Sequence, residues 1–95
     1  MHTFNLIHSG KHLGEVLYKQ GKFYFKLADN IHLDDWRQKF GIIPLQDSDT
    51  AESEDLFPSL NMRLPIYLRN ASLKRKIEYI KKKKLRVASD RYELV

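Results

Sequence analysis

Ninety-five residues, with 42% hydrophobic and 31% charged side chains, make one lightly built domain whose core covers a modest share of its surface. The absence of cysteine excludes disulfides, thiolate nucleophiles and thiolate metal sites. The net charge of +5 is uneven: residues 69–86 carry nine basic residues and one acid, a local +8 that leaves −3 for the remainder and can attract polyanions or an acidic protein surface. Met1-His2-Thr3-Phe4 shows no basic region leading into an apolar run, and no apolar run approaches a membrane span. The expectation is a soluble cytoplasmic protein with no membrane partner.

In chain order, Phe4 to Leu27 reads as three short strands joined by glycine turns. Phe4 and Leu6 share one face of the first run, and Phe23, Phe25 and Leu27 share one face of the third, the two-residue period of half-buried strands. The middle run has two readings, with either Val16 and Tyr18 or Leu13 and Leu17 facing the core. Gly10 and Gly21 stand where tight turns need φ above zero. Gly14, inside the middle run, signals a bulge or a close backbone approach. Such a meander needs a cover for its apolar face.

Ala28-Asp29-Asn30 reads as a turn. Trp36 and Phe40 are four apart, as on one helix face; Asp34 or Asp35 is placed to start a short helix and Gly41 to end it. Pro44 keeps the apolar segment 42–45 out of a central strand. Residues 46–55 combine five acids with small polar side chains and read as an acidic, mobile loop. Residues 56–68 are apolar but broken by Pro58 and Pro65, so an extended course is expected; Leu60, Met62 and Leu64 alternate as in a strand. Asn70 or Ser72 is placed to cap a helix whose apolar stripe is Leu73, Ile77 and Ile80 and which ends near Lys83. Glu78 and Lys82 have the favourable order for an ion pair. Leu85, Val87, Tyr92 and Leu94 around Ser89-Asp90 read as a terminal hairpin or a strand and turn. The fold class is α+β: a small antiparallel meander covered by a short helix and a basic C-terminal helix, with extended linking segments, all in one domain over 1–95.

Lys74, Arg75, Lys81, Lys82, Lys83 and Lys84 form a candidate polyanion or acidic-surface site, since lysine and arginine release condensed counterions from phosphates. The same helix offers few side chains that read base edges. A solvated polar face is the plainer alternative. His8 and His12 are separated by a turn, and neither an HExxH motif nor calcium-loop spacing occurs, so no metal and no cofactor are expected. Trp36 and Phe57 divide between core packing and partner anchoring. Neither a nucleophile–base motif nor a phosphate-binding loop is present, and the chain reads as a binding module rather than an enzyme.

The run "HLGEVLYKQGKFYFKL" over 12–27, after the strand Asn5–His8, with "SLNMRLP" over 59–65, resembles the N-terminal subdomain of HipA-type serine/threonine kinase toxins. Residues 59–65 match either of two segments of that family, an "LSLSLP"-like one or the "LLPEG" before a helix. Residues 89–95 resemble the segment preceding the kinase core, which is absent here, so no catalytic residue carries over. The acidic loop and the four consecutive lysines depart from the pattern. A separate subdomain of this kind is similar to the HipS-type small antitoxins of three-part HipB–HipS–HipT systems. The resemblance implies a non-catalytic antitoxin that binds and neutralises a HipT-like kinase toxin, with a HipB-like DNA-binding protein and operator DNA as partners in a larger complex. Trp36, Phe57, Leu60, Met62, Arg63, Leu64 and Tyr67 are the expected partner-binding residues. The competing class is a small basic nucleic-acid-binding protein, winged-helix-like or ribosome-associated.

Overall fold

The computed structural model describes residues 1–86 and 89–95. Its sheet contains β1 (His2–His8), β2 (Lys11–Lys19), β3 (Lys22–Leu27), β4 (Thr50–Ser53), β5 (Leu85–Arg86) and β6 (Tyr92–Leu94). The order across the sheet is β4-β3-β2-β1-β6-β5, and every pairing is antiparallel. The fold is therefore α+β, as the sequence implies, with three further strands beyond the meander. Val87, expected in the terminal hairpin, lies outside the described residues; the hairpin itself forms, with Leu85 opposite Leu94.

Both meander turns have two residues with positive φ, Ser9 (49°) with Gly10 (82°) and Gln20 (53°) with Gly21 (79°). That backbone matches the right-handed twist of the flanking strands. The two readings of β2 resolve through a bulge. Leu6 stands opposite Gly14 but Ile7 stands opposite His12, so Leu13 is one residue in excess. Leu13 and Val16, three apart, both turn into the core, while Leu17 and Tyr18 are half-buried. Gly14 beside the bulge is a close approach: a Cβ there would meet the Phe25 ring at 2.7 Å and the Lys26 carbonyl nearer still.

One face of the sheet supplies Phe4, Leu6, Leu13, Val16, Phe23, Phe25, Leu27 and Leu94 to the core. The cover comes from α1 (Leu33–Asp35), which runs into a π-helical turn at Trp36–Phe40, from α2 (Pro58–Asn61), from a 3-10 turn at Ile66–Leu68 and from α3 (Leu73–Lys83). The molecule measures 34 × 31 × 18 Å, thin enough for a sheet and one covering layer. α1 starts at Leu33, one residue ahead of the aspartates expected to begin it, and no side chain caps it. Gly41 closes the π-helical turn at φ 58°, its N–H donating to the Trp36 carbonyl at 2.7 Å. Ser72 caps α3, accepting from the Arg75 N–H.

Two sequence expectations are corrected. Thr50–Ser53, inside the stretch read as a loop, is an edge strand on β3. Its pairing is made by backbone groups, which composition does not reveal, and just before it the Leu27 N–H of β3 donates to the Asp49 carbonyl at 2.8 Å, with the Asp49 side chain paired to Lys26. Residues 56–68 are not extended. Pro58 opens α2 instead of preventing it, because a helix's first residue needs no N–H donor. Leu60 and Leu64, four apart, are buried and Met62 between them is exposed, which is helical rather than strand spacing.

Candidate functional site

Four of the seven expected partner anchors are core side chains. Trp36 is fully buried, its Nε1 donates to the Ile43 carbonyl at 2.8 Å, and its ring stacks on Phe25 at 5.3 Å. Phe57, Leu60 and Leu64 are buried in the same cluster. Having no free surface, these four have none to offer a partner in this conformation. Their apolarity was legible, but the helical turns that bury them were not.

Met62 and Tyr67 remain, and Ile66, which the sequence reading passed over, joins them. Their exposures of 68%, 70% and 78% make them, with Met1, the large hydrophobics left outside among the described residues. All three stand on one short knuckle between α2 and α3. The backbone beneath them is tied down. Arg69 donates through Nη2 to the Met62 carbonyl at 2.7 Å and through Nε to the Leu64 carbonyl at 3.1 Å. Asn61 Nδ2 donates to the Arg69 carbonyl at 3.2 Å. Pro65 sets the bend ahead of the 3-10 turn, and Leu68 N–H donates to its carbonyl at 2.9 Å. The apolar side chains thus project from a fixed frame. The "RLPIYL" string held a signal for Ile66, since Pro65 starts a 3-10 turn that buries Leu68 and leaves the two residues before it outside.

Arg63 couples this knuckle to the terminal hairpin. Its Nε and Nη2 both donate to Asp90 Oδ2, at 3.0 and 2.5 Å, and its Nη1 donates to the Ser59 carbonyl. The guanidinium lies over the Tyr92 ring at 5.3 Å, and the His8 ring sits against the same tyrosine at 4.5 Å. Burial raises the Tyr92 phenol above its ordinary value of 10.0, and Asp90 adds to the rise while Arg63 opposes it. Arg63 is mostly enclosed and has a buttressing role, not a free recognition role.

The other candidate group is α3. Lys74, Arg75, Lys81, Lys82, Lys83 and Lys84 are all exposed. Lys76 is not part of that face: it is fully buried, and its Nζ donates to both Asp55 oxygens at 2.9 and 3.1 Å. A buried ammonium needs such a partner, and the pair ties the end of the acidic stretch to α3. The expected Glu78–Lys82 pair is not among the ion pairs of the described residues; both side chains are exposed, where water competes and such pairs are weak. At the far side of the sheet, the hydrogen bond from Lys26 lowers the Asp49 carboxyl below its ordinary value and raises Lys26 above its own.

Among the described residues no three His, Asp or Glu side chains converge as metal ligands, and no helix is long and apolar enough to cross a membrane. No family model, no curated protein and no solved structure matches this chain.

Proposed function

We propose that this protein is a non-catalytic antitoxin that binds and neutralises a HipA/HipT-type serine/threonine kinase toxin. Two things support the reading. One is the resemblance of residues 5–27 and 59–65 to the N-terminal subdomain of such kinases. The other, which carries the structural part, is the knuckle of Met62, Ile66 and Tyr67, exposed on a backbone held by Arg69 and Asn61. Burying a large apolar side chain gains roughly 1.5–3 kcal/mol, so these three side chains together give a partner several kcal/mol of gross contact energy. A frame already fixed loses little conformational entropy on docking. In this proposal the knuckle seats in an apolar pocket of the kinase, and the domain takes the place that the fused subdomain occupies in single-chain toxins.

Co-expression of the protein with a HipT-type kinase from the same source is expected to relieve growth arrest. The double variant Ile66→Asp/Tyr67→Asp is expected to weaken kinase binding at least a hundredfold by calorimetry while keeping the wild-type melting temperature, because both side chains stand in solvent. Full neutralisation by that variant would move the docking surface elsewhere. Failure of the wild type to bind any such kinase would remove the antitoxin reading itself.

A further inference from the structure

We infer that the C-terminal end of α3 is a second binding surface, one that holds the phosphate backbone of a nucleic-acid duplex without reading its sequence. The inference stands apart from the antitoxin reading and uses none of the knuckle residues.

α3 is 11 residues long, about 16 Å at 1.5 Å per residue, and its apolar side lies on the core through Ile77 and Ile80. On the remaining arc stand Lys74, Arg75, Lys81, Lys82 and Lys83, with Lys84 directly after the helix, all exposed. Lys74 with Lys81, and Arg75 with Lys82, are seven residues apart and so repeat on one side about 10 Å from each other. Among the described residues the ion pairs use Lys26, Arg37, Arg63, Lys76 and Arg86, so these six cations form none, and the exposed Glu78, within a turn of Lys74, Lys81 and Lys82, is the one carboxylate that α3 sets against them.

The helix end carries more than its own stability asks for. Cations in a last turn complement the partial negative charge of the free carbonyls, which accounts for one or two of them. Lys84 goes further. Its φ of 60° and ψ of 149° lie where glycine is the comfortable residue, yet a fourth consecutive lysine stands there.

Three partner chemistries fit a cationic helix, and the surroundings separate them. A membrane-surface helix needs an exposed apolar face to enter the lipid boundary, and that of α3 is used by the core. A protein interface needs apolar or aromatic anchors at its centre, and no large apolar side chain is exposed between Lys74 and Lys84. A polyphosphate needs only cations at intervals. The same arc carries no exposed aromatic for stacking and no Asn or Gln for adenine edges; its Lys and Arg side chains can reach guanine edges, but on flexible stems that no neighbouring group fixes, which favours the phosphates common to every sequence.

Fluorescence anisotropy with a labelled duplex of about 20 base pairs, over a salt series, tests this. With five phosphates contacted, the logarithm of the binding constant is expected to fall against the logarithm of salt with a slope of about −4 to −5. Lys81→Gln/Lys82→Gln/Lys83→Gln is expected to bind at least tenfold more weakly at about 50 mM salt, with a slope shallower by about 2 to 3. Circular dichroism checks that the variant is folded. Lys11→Gln/Lys19→Gln/Lys39→Gln removes as many exposed charges elsewhere and is expected to stay within about twofold of wild type. No binding at low salt, equal losses in the two triple variants, or equal affinity for vesicles of anionic phospholipid would each overturn the assignment.

Discussion

The Met62–Tyr67 knuckle and the lysine end of α3 both project from the cover of the sheet, but they are built by opposite means. The knuckle shows three apolar side chains on backbone whose carbonyls are held by Arg69 and Asn61, with Arg63 locking the adjoining turn to Asp90. The lysine end shows flexible stems on a helix, with no clamp above the backbone. Dispersion contacts lose much of their strength within about an ångström of misplacement, so an apolar docking surface needs a fixed frame. Charge acts over a Debye length of about 8 Å at physiological salt, so a cationic surface needs number and spacing rather than exact placement. The molecule gives its internal hydrogen bonds to the first surface and its uncompensated charge to the second.

Four substitutions sharpen this contrast. The largest effect is expected from Trp36→Ala, because Trp36 is a core aromatic with a satisfied N–H while Tyr67, also aromatic, is outside the core. Urea denaturation should show a loss of about 3–5 kcal/mol for Trp36→Ala and less than about 0.5 kcal/mol for Tyr67→Ala. Equal losses would erase the distinction between core and display. Arg69→Ala comes next, at about 1–2 kcal/mol, since two carbonyls lose a charged donor but one of them can turn to water. Amide exchange should quicken at residues 62–69 and stay unchanged in α3; a uniform change would mean that Arg69 supports the whole fold and not the knuckle. The smallest effect is a gain. Lys84→Gly relieves a left-handed backbone, and after the entropy of glycine is counted it is expected to stabilise by about 1 kcal/mol. A loss of stability would mean that Lys84 makes contacts outweighing its backbone cost.

Much of the fold was legible because its signals are local. The period of two in residues 4–8 and 22–27, the turn glycines, the Trp36–Phe40 spacing and the Ser72 cap each act within a few residues. The register of β2 was not legible, because a bulge at Leu13 makes both candidate faces partly right. β4 was hidden because an edge strand held by backbone pairing leaves little mark on composition. The site was less legible than the fold. The lysine run 81–84 is legible from charge, although charge alone does not set the buried Lys76 apart from it, whereas the sorting of Leu60 and Leu64 inward from Met62, Ile66 and Tyr67 outward depends on α2 and the 3-10 turn. In sequence the two prolines that initiate those turns, Pro58 and Pro65, read instead as breaks in an extended apolar run.

The place of β6 bears on how the chain finds this structure. β1 pairs with β2 across a two-residue turn, but its other edge is closed by β6, where Leu6 meets Leu94 across 88 positions of sequence. The meander hairpins can close within microseconds, whereas the pairing of β1 with β6 must await a large loop closure. During synthesis β1 is therefore a bare edge for most of the time that residues 9–91 take to emerge, open to strand exchange with other nascent chains. β5 reaches the sheet only through β6, so the hairpin that carries Asp90 to Arg63 is placed in the slow step.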